Sequence, residues 1–308
     1  MAFGGIMGVG FYIQTEGKNM TEKEQKIIDM LHDSEYEMLC KLDDVCKKHD
    51  ITYFLEAGTL IGAARHKDFV PWDDDIDIYL KREDFEKLLK YKNEFEPYFI
   101  HIPNAKEGFF WDFTTRIMNR NVLLKKNSRE SKFYRHTDCQ YQFIDLFVMD
   151  NTPSGIRGKL HIARLVFLYV LATSRRFMLK YDVPSNPIVR FGMFVISRLG
   201  MFVPMKTIYK RFDKLSKKYN NDDKCENYLL TNCAASFLPD CVYKKKWYET
   251  STELPVRDRM FSVPGDYDSS LRNYYGDYMQ LPPEDKRVPD HVEGFDNVVI
   301  NGIKAKDL

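Results

Sequence analysis

Apolar residues recur every three or four positions between Thr21 and Lys48, which is the spacing of one face of an α-helix. Thr21 precedes the first turn, where a threonine side chain commonly caps the free backbone N–H groups. The pattern therefore predicts one long amphipathic helix over residues 21–48. Its predicted inner face consists of Ile27, Ile28, Leu31, Tyr36, Met38, Leu39, Leu42 and Val45.

Shorter runs follow this helix and are separated by turn residues. The apolar run over 51–55 predicts a buried strand, and Gly58-Thr59 predicts a turn. Residues 60–65 then begin a helix that Thr59 is in a position to cap. A second strand is predicted within 70–80, where aspartates alternate with isoleucines. The order strand, Gly-Thr turn, short helix, loop and strand is the layout of a nucleotidyltransferase-type phosphotransfer site.

The remaining pattern alternates strands with helices, so the fold class is α/β (α+β) with a mixed sheet and helices on its outer faces. A hairpin is expected where two strands flank Asn119-Arg120-Asn121. From residue 243 onward the chain is rich in aromatic residues, prolines and loops. Helices are predicted over 82–91, 160–180, 188–203 and 206–219, and strands over 98–102, 111–118, 122–125 and 143–149.

Composition places the 308-residue chain among ordinary globular proteins, with 44% hydrophobic and 30% charged residues. The formal net charge of +1 conceals a basic stretch, because Gly155 to Arg211 holds eleven Lys or Arg and one acid, Asp182. Two interpretations stay open for this apolar, basic stretch. It is either a helical subdomain with a charged outer face or a segment that lies on an anionic membrane surface.

The run Val70 to Leu80 carries the candidate chemistry, with aspartates at 73, 74, 75 and 77. Residues two apart on a strand share a face, so Asp75 and Asp77 are expected to point the same way while Ile76 and Ile78 enter a core. Two adjacent carboxylates repel each other unless a cation lies between them. Oxygen ligands of this kind suit Mg²⁺ or Mn²⁺, and the usual substrate of such a site is a phosphate.

Asp145 is the third candidate carboxylate, because it lies between Ile144 and Leu146 in an apolar strand where a charge is costly without a partner. It is expected either to share one or two metal ions with Asp75 and Asp77 or to act as the general base for the acceptor hydroxyl. Asp150 ends the same predicted strand and is expected to cap a turn.

Substrate contacts are expected from the residues around this carboxylate run. Gly58 and Thr59 are predicted to contact a donor phosphate through backbone amides and a hydroxyl, and Arg65 suits a bidentate phosphate contact. A quaternary ammonium or a base would stack on the face of an indole. The remaining candidates for donor binding are His66, Trp72 and, as a second phosphate clamp, Arg116, while Arg287 and His291 are candidates for reaching the site from the C-terminal block.

Three separated blocks of this chain resemble the LicD family of phosphocholine transferases, which includes the fukutin-like proteins. The first block, GTLIGAARHKDFVPWDDDIDIYLKREDF, is similar to the family signature nearly throughout. Two further blocks, FIDLFVMD and VPGDYDSSLRNYYGDYMQLPPEDKR, follow in the same order. The chain departs from the family pattern at Asp68, where a glycine is common, and at Pro255 to Arg259, where a Phe-Glu pair is common.

The resemblance implies a metal-dependent phosphotransferase that uses Mg²⁺ or Mn²⁺. The implied donor is a CDP-activated alcohol such as CDP-choline, and the implied acceptor is a cell-surface glycan or teichoic acid precursor, with release of CMP. Two alternatives stay open: transfer of a nucleotide from a triphosphate, and a non-catalytic, membrane-associated glycan-binding protein. Nucleic acid is not expected as a partner.

The expected organisation has four segments: a leader over 1–20, a catalytic core over 21–154, a basic helical subdomain over 155–220 and a C-terminal region over 221–308 that completes the site. We expect a cytoplasmic protein with peripheral contact to the inner face of the plasma membrane through 155–211. The six cysteines contain no Cys-x-x-Cys pair and fit the reduced thiols of such a protein.

Overall fold

The computed structural model of the chain describes residues 20–124, 140–175, 186–289 and 298–307. Several sequence-based expectations fall outside these ranges. They are the leader over 1–19, the last residue of the strand predicted over 122–125, Cys139, the end of the helix predicted over 160–180, Asp182 and His291.

The first helix, α1, confirms the prediction made from its periodicity. It covers Glu22–Lys48, and Thr21 and Glu24 form a reciprocal cap. The Thr21 hydroxyl accepts from the Glu24 N–H at 3.2 Å, and the Glu24 carboxylate accepts from the Thr21 N–H at 2.7 Å. Seven of the eight predicted inner residues are buried, and Tyr36 is half-buried.

Six more helices and eleven strands lie in the described part of the chain. The helices are α2 (Ala57–Ile61), α3 (Arg82–Lys90), α4 (Gly155–Ala172), α5 (Pro187–Gly200), α6 (Met205–Ser216) and α7 (Tyr267–Tyr275). The strands are β1 (Phe54–Glu56), β2 (Ile76–Lys81), β3 (Phe99–His101), β4 (Thr115–Leu124), β5 (Tyr141–Thr152), β6 (Asn227–Leu230), β7 (Val242–Lys244), β8 (Ser251–Val256), β9 (Arg259–Pro264), β10 (Val298–Ile300) and β11 (Ile303–Lys304). This mixed α/β architecture confirms the predicted fold class.

Two compact units divide the chain. Unit 1 contains the described residues that fall within 1–100, 116–146 and 247–308, and unit 2 contains those within 101–115 and 147–246. The units are therefore discontinuous in sequence, whereas the expected segments were continuous, and the expected boundaries at 154 and 220 both fall inside unit 2. As functional divisions those segments stay a prediction.

Unit 1 holds the sheet order β1-β2-β5-β4-β10-β11, with β3 paired to β4. The short strand β1 pairs antiparallel with β2, so that Leu55 faces Ile78 and Glu56 faces Asp77. Buried apolar residues of α1 pack with those of β4 and β10, among them Leu31, Val122 and Val298. A separate antiparallel hairpin is formed by β8 and β9.

Unit 2 contains the second half of β5, which pairs with β6, and β6 in turn pairs with β7. Its helices are α4, α5 and α6, and the aromatic side chains of Phe110, Phe113, Tyr169 and Phe212 form the centre of its core. Within the described residues, no single helix is long and apolar enough to cross a bilayer.

Two expectations about strand ends are wrong. The predicted hairpin over 111–125 is absent, because β4 runs through Asn119 without a turn. The buried Asn119 side chain is satisfied in the strand, since it donates to the Ser34 hydroxyl at 2.9 Å and accepts from the Asn121 N–H at 3.0 Å. Likewise Asp150 lies inside β5 rather than at a turn, and it accepts hydrogen bonds from Thr231 and Asn220.

Candidate active site

The strand β2 and Asp75, the residue directly before it, present their carboxylates as the alternation predicts. Ile76 and Ile78 are completely buried, whereas Asp75 and Asp77 are half-buried on the other face. The backbone N–H of Asp77 donates to the Thr59 hydroxyl at 3.0 Å, which ties β2 to helix α2. The two aspartates are therefore held on a rigid element whose inward residues anchor it in the core.

The helix that precedes this strand differs from its prediction. It begins at Ala57 rather than Leu60, and the side chain of Glu56 caps it by accepting from the Ala57 N–H at 3.3 Å. Thr59 is thus inside the helix and does not cap it. A π-helical turn over Gly62–His66 continues the chain to the loop before β2.

Gly58 allows a carboxylate to approach the helix closely. A Cβ atom at this position would overlap the carboxylate of Asp73, so any larger residue would displace either the helix or that side chain. The contact between Gly58 and Asp73 places the start of α2 directly against the carboxylate run. The phosphate contacts predicted for Gly58 and Thr59 stay a prediction.

Negative charge is concentrated at this point of unit 1. The pKa of Asp73 lies well above its usual value because the side chain is shielded from water and because Asp75, Asp74 and Asp77 are close. The pKa of Tyr275 on α7 is also raised, by desolvation of its hydroxyl and then by the charges of Asp77 and Glu56, although 45% of this residue is exposed. A cation bound here would relieve this repulsion.

Sequence reasoning missed a buried carboxylate next to this run. Glu56 is only 2% exposed and pairs directly with Asp77 across β1 and β2. Its carboxylate accepts from Tyr248 at 2.5 Å and from Ser270 at 3.3 Å, and burial raises its pKa to about 7. The one local signal was an acid at the end of an apolar strand, which is ambiguous without its distant partners.

A cluster of basic and aromatic side chains, which we call the cationic group, lies beside the loop that leads into β2. Arg65 donates to the His66 ring at 2.9 Å and to the carbonyl of Tyr278 at 2.6 Å. The guanidinium of Arg287 lies 5.7 Å from the centre of the Trp72 ring, and the His66 ring meets the Trp72 ring edge to face. The structure therefore assembles Arg65, His66, Trp72 and Arg287, of which the first three were predicted to bind substrate.

Electrostatics favour an anion at this cationic group. Partial burial, and then the like charge of Arg287, lower the pKa of Arg65. Partial burial, and then the charge of Arg65, likewise lower the pKa of His66. Two guanidinium groups that repel each other are stabilised by an anion that both can contact. A phosphate group matches the planar, forked geometry of such donors.

Asp145 and Arg116 occupy a different arrangement from the predicted one. They form an ion pair with 2.7 Å between the Arg116 Nε atom and an Asp145 carboxylate oxygen, and both side chains are at most 15% exposed. The guanidinium of Arg116 also lies 4.9 Å from the centre of the Phe143 ring. Arg116 thus neutralises the carboxylate that was expected to serve as the third metal ligand, and it is itself engaged rather than open as a clamp.

The donor set of the carboxylate run determines how a magnesium ion could be held there. Within residues 20–124, 140–175, 186–289 and 298–307, no three His, Cys, Asp or Glu side chains are arranged to hold a metal ion. However, Mg²⁺ is commonly bound by only one or two carboxylates together with waters and the phosphates of a substrate. Asp75 and Asp77 suit this mode by their oxygen donors and their shared strand face, whereas Asp145 in its ion pair does not.

The two departures from the family pattern meet in space. Arg257, in the turn between β8 and β9, donates to the Asp68 carboxylate at 3.1 Å and to Asp33 on α1 at 2.7 Å. Its own N–H donates to the carbonyl of Lys67 at 2.8 Å. The loop that leads into the carboxylate run is therefore held by a hairpin tip, and sequence spacing offered no signal of this contact.

Comparison with known proteins finds similarity in the region that contains the predicted carboxylates. Residues 50–154 match the family model described as LicD/FKTN/FKRP, nucleotidyltransferase domain. This match contains β1, α2, β2, β4 and all of β5, and hence every carboxylate predicted to act in the reaction. The cationic residue Arg287 and the buried Tyr248 lie outside it.

Relatives extend the similarity over most of the chain. The lipopolysaccharide cholinephosphotransferase LicD of Haemophilus influenzae is 24% identical over 284 residues, which cover 90% of this chain and 98% of that protein. An uncharacterised protein of Rickettsia prowazekii is 32% identical over 30% of this chain and 37% of its own length. Human ribitol 5-phosphate transferase FKRP is 53% identical over 34 residues, 11% of this chain and 7% of that protein.

Proposed function

We propose, from the fact that this chain belongs to the LicD family of phosphotransferases, that it transfers a phospho-alcohol from a CDP-activated donor to a hydroxyl of a cell-surface glycan or teichoic acid precursor. The first choice for the transferred group is phosphocholine, because the relative that matches over 98% of its own length is named a cholinephosphotransferase. The single observation that carries the proposal is that unit 1 contains both the carboxylate run, Asp73 to Asp77, and two arginines that repel each other, Arg65 and Arg287.

Asp75 and Asp77 are proposed to hold Mg²⁺ or Mn²⁺, which would neutralise the diphosphate of the donor. Arg65 and Arg287 bind its phosphate oxygens, so that the charge gathered during transfer meets fixed positive groups. The Trp72 ring presents a face on which a base or a quaternary ammonium can stack. Because Gly58 has no side chain, Asp73 lies close to α2. This close approach holds the carboxylate run beside the proposed phosphate site.

In the proposed reaction, an acceptor hydroxyl attacks the phosphorus that carries the alcohol. A new oxygen–phosphorus bond forms, the bond to the CMP oxygen breaks, and the hydroxyl proton passes to a carboxylate. Asp145 remains the predicted base, with Arg116 holding its orientation through the ion pair. Transfer of a nucleotide from a triphosphate is the rival reaction at the same site.

The products separate the two reactions. The full chain is incubated with CDP-choline, CDP-ribitol or labelled nucleoside triphosphates, each with and without Mg²⁺ and a glycan acceptor. From CDP-choline we expect CMP and an acceptor that carries phosphocholine. Release of pyrophosphate from a triphosphate, with no CMP from either CDP-alcohol, would overturn the proposal in favour of nucleotidyl transfer.

Ligand binding provides a test that does not require the acceptor. A ligand that binds only the folded chain raises its melting temperature. We expect CDP-choline to do so more strongly with Mg²⁺ than without it, and we expect the Asp75→Asn variant to lose the dependence on the ion. An equal shift with and without Mg²⁺ in the unmodified chain would contradict a metal held by Asp75 and Asp77.

A further inference from the structure

Helices α4 and α5 of unit 2 expose large apolar side chains to solvent. Eleven of the seventeen such side chains in the described residues fall between 156 and 202. We call these eleven the apolar surface. They are Ile156, Leu160 and Phe167 on α4; Ile188, Val189, Phe191, Phe194, Val195 and Leu199 on α5; and Met201 and Phe202 in the turn that follows.

Helix α5 reverses the burial pattern of a helix in a water-soluble domain, because its small residues are buried and its large apolar residues are exposed. Its buried positions are the small residues Ser197 and Gly200. The Ser197 and Thr173 hydroxyls lie 3.2 Å apart, and a Cβ at Gly200 would overlap the backbone of Leu171. Small residues therefore let α5 pack closely on the end of α4, while the large apolar residues point away from the protein.

The outward residues of α5 form a continuous stripe. Ile188, Phe191, Val195 and Leu199 follow one another at intervals of three or four, which places them on one helix face. Phe202 extends the stripe into the next turn and is 86% exposed. Single exposed apolar residues need no explanation, but a contiguous set of this size marks a surface that another body covers.

The charges around the apolar surface have one sign. Residues 186–218 contain eight Lys or Arg and a single acid, Asp213, which is ion-paired with Lys217 at 2.8 Å. Arg190 and Arg198 are exposed on α5 itself, and Lys206, Lys210 and Arg211 are exposed on α6. The body that covers the apolar surface must therefore tolerate or attract positive charge.

The dimensions exclude a simple membrane span. Fourteen residues of helix are roughly 21 Å long, whereas the hydrocarbon core of a bilayer is about 30 Å thick. The combined length of α5 and residues 205–219 suffices only across a bend of 119°. A second copy of this chain is a poor occupant, because a symmetric interface would bring the same cationic residues together.

We propose that the apolar surface lies in the headgroup region of an anionic bilayer, with α5 parallel to the membrane plane. The phenylalanine and aliphatic side chains enter the boundary with the acyl chains, and Arg190, Arg198 and the α6 lysines contact lipid phosphates. This sharpens the expectation of membrane contact through 155–211 to one helix face and its turn. The inference does not depend on which group the enzyme transfers.

The test measures flotation of the full chain with vesicles in the absence of any donor. We expect binding to vesicles rich in phosphatidylglycerol, weaker binding to pure phosphatidylcholine, and loss of binding as salt is raised. The double variant Phe191→Ser with Leu199→Ser should weaken binding by about tenfold or more, since each of these side chains contributes apolar burial. Both residues are exposed, so the fold should be retained, and thermal melting checks this.

A matched control removes exposed apolar residues elsewhere. Met279 and Ile303 are 50% and 51% exposed in unit 1, and the variant Met279→Ser with Ile303→Ser should bind vesicles as the unmodified chain does. Equal binding by the Phe191/Leu199 variant and the unmodified chain would overturn the proposal. A second result would also overturn it: the unmodified chain does not bind vesicles and forms a concentration-dependent dimer, and the Phe191/Leu199 variant is a monomer. The apolar surface would then be covered by a second copy of this chain.

Discussion

The carboxylate run of unit 1 and the apolar surface of unit 2 break opposite rules of protein burial. Around Asp73 to Asp77, charged side chains are partly or wholly shielded from water and lie close to one another. On α4 and α5, large apolar side chains lie in water and small residues face the protein. Each arrangement costs stability in the isolated chain.

The difference between the two regions lies in what supports them. The carboxylates are fixed by β2, by the Thr59 hydroxyl and by the close approach of Gly58, so they are held in place before any ligand arrives. The apolar surface is supported on one side only, by close packing of α5 on α4. A small, charged ligand needs a precise frame, whereas a fluid lipid surface needs only a continuous face and suitable charges.

The largest expected effect comes from removing one charge of the carboxylate run. The change Asp77→Asn keeps the size of the side chain and its backbone hydrogen bond but removes the charge. We expect turnover to fall about a thousandfold, because a fixed charge at the reacting group is typically worth this much. The melting temperature should rise rather than fall, because one of the mutually repelling charges is removed, and vesicle binding should stay unchanged. A control, Asp223→Asn, alters an exposed acid of unit 2, and equal activities of the two variants would remove Asp77 from the site.

A buried histidine in unit 2 tests whether burial shifts the pKa of a titratable group outside the candidate site as well. His161 is 1% exposed, has no hydrogen-bond partner in the described residues, and has a pKa lowered to about 4 by burial and by the charges of Lys218 and Arg164. Below pH 6.5 His161 binds a proton in the unfolded chain, whereas in the folded chain it remains neutral until about pH 4. The free energy of unfolding should therefore fall by roughly 3 kcal/mol across this window, relative to a chain without the group.

Urea unfolding at pH 7 and pH 4 measures this effect. The variant His161→Gln lacks the titration, so its loss of stability on acidification should be smaller than that of the unmodified chain by the stated amount. Identical losses in the two proteins would contradict a neutral, buried His161 in the folded state.

The hairpin contact tests how the frame around the carboxylates is held. Arg257→Ala removes two ion pairs and the packing of the guanidinium over Tyr36 and Phe69. We expect a loss of about 2 kcal/mol in unfolding free energy, mainly from packing, because the acidic partners are exposed and exposed ion pairs contribute about 1 kcal/mol or less. A double-mutant cycle with Asp68→Ala should give a coupling below about 1 kcal/mol. A larger coupling would show that the ion pair, rather than packing, holds the loop.

The smallest expected effects come from a pair of glycines, one in each region. Gly58→Ala places a methyl group against Asp73, and we expect about a tenfold loss of activity from displaced carboxylates. Gly192→Ala on α5 meets nothing within 4 Å, and it should raise stability by about 0.5–1 kcal/mol through helix propensity. Activity assays and thermal melts of the two variants give the comparison directly. Full activity in Gly58→Ala would show that the close approach to Asp73 is not needed.

Much of the fold was predictable wherever a short-range pattern dictates it. The helix α1, with its Thr21 cap, and the alternation along β2 follow from spacing alone, because a buried face must repeat with the period of its own element. The first block of the resemblance also marked the stretch that the family model matches. The strand through Asn119 could not be predicted in this way, because a partner on α1 satisfies a residue that otherwise favours a turn.

By itself the sequence determined the resemblance to a known family, the helical and strand periods and the position of the acidic run, since all of these are properties of neighbouring residues. Only the tertiary structure decided the partners of the charged groups. Glu56 is shielded by Tyr248, 192 residues away, and Asp68 meets Arg257, 189 residues away. Asp145 is neutralised by an arginine from another strand. The physical reason is that the pKa and the availability of a buried charge depend on what packs against it, and in this protein those neighbours come from distant parts of the chain.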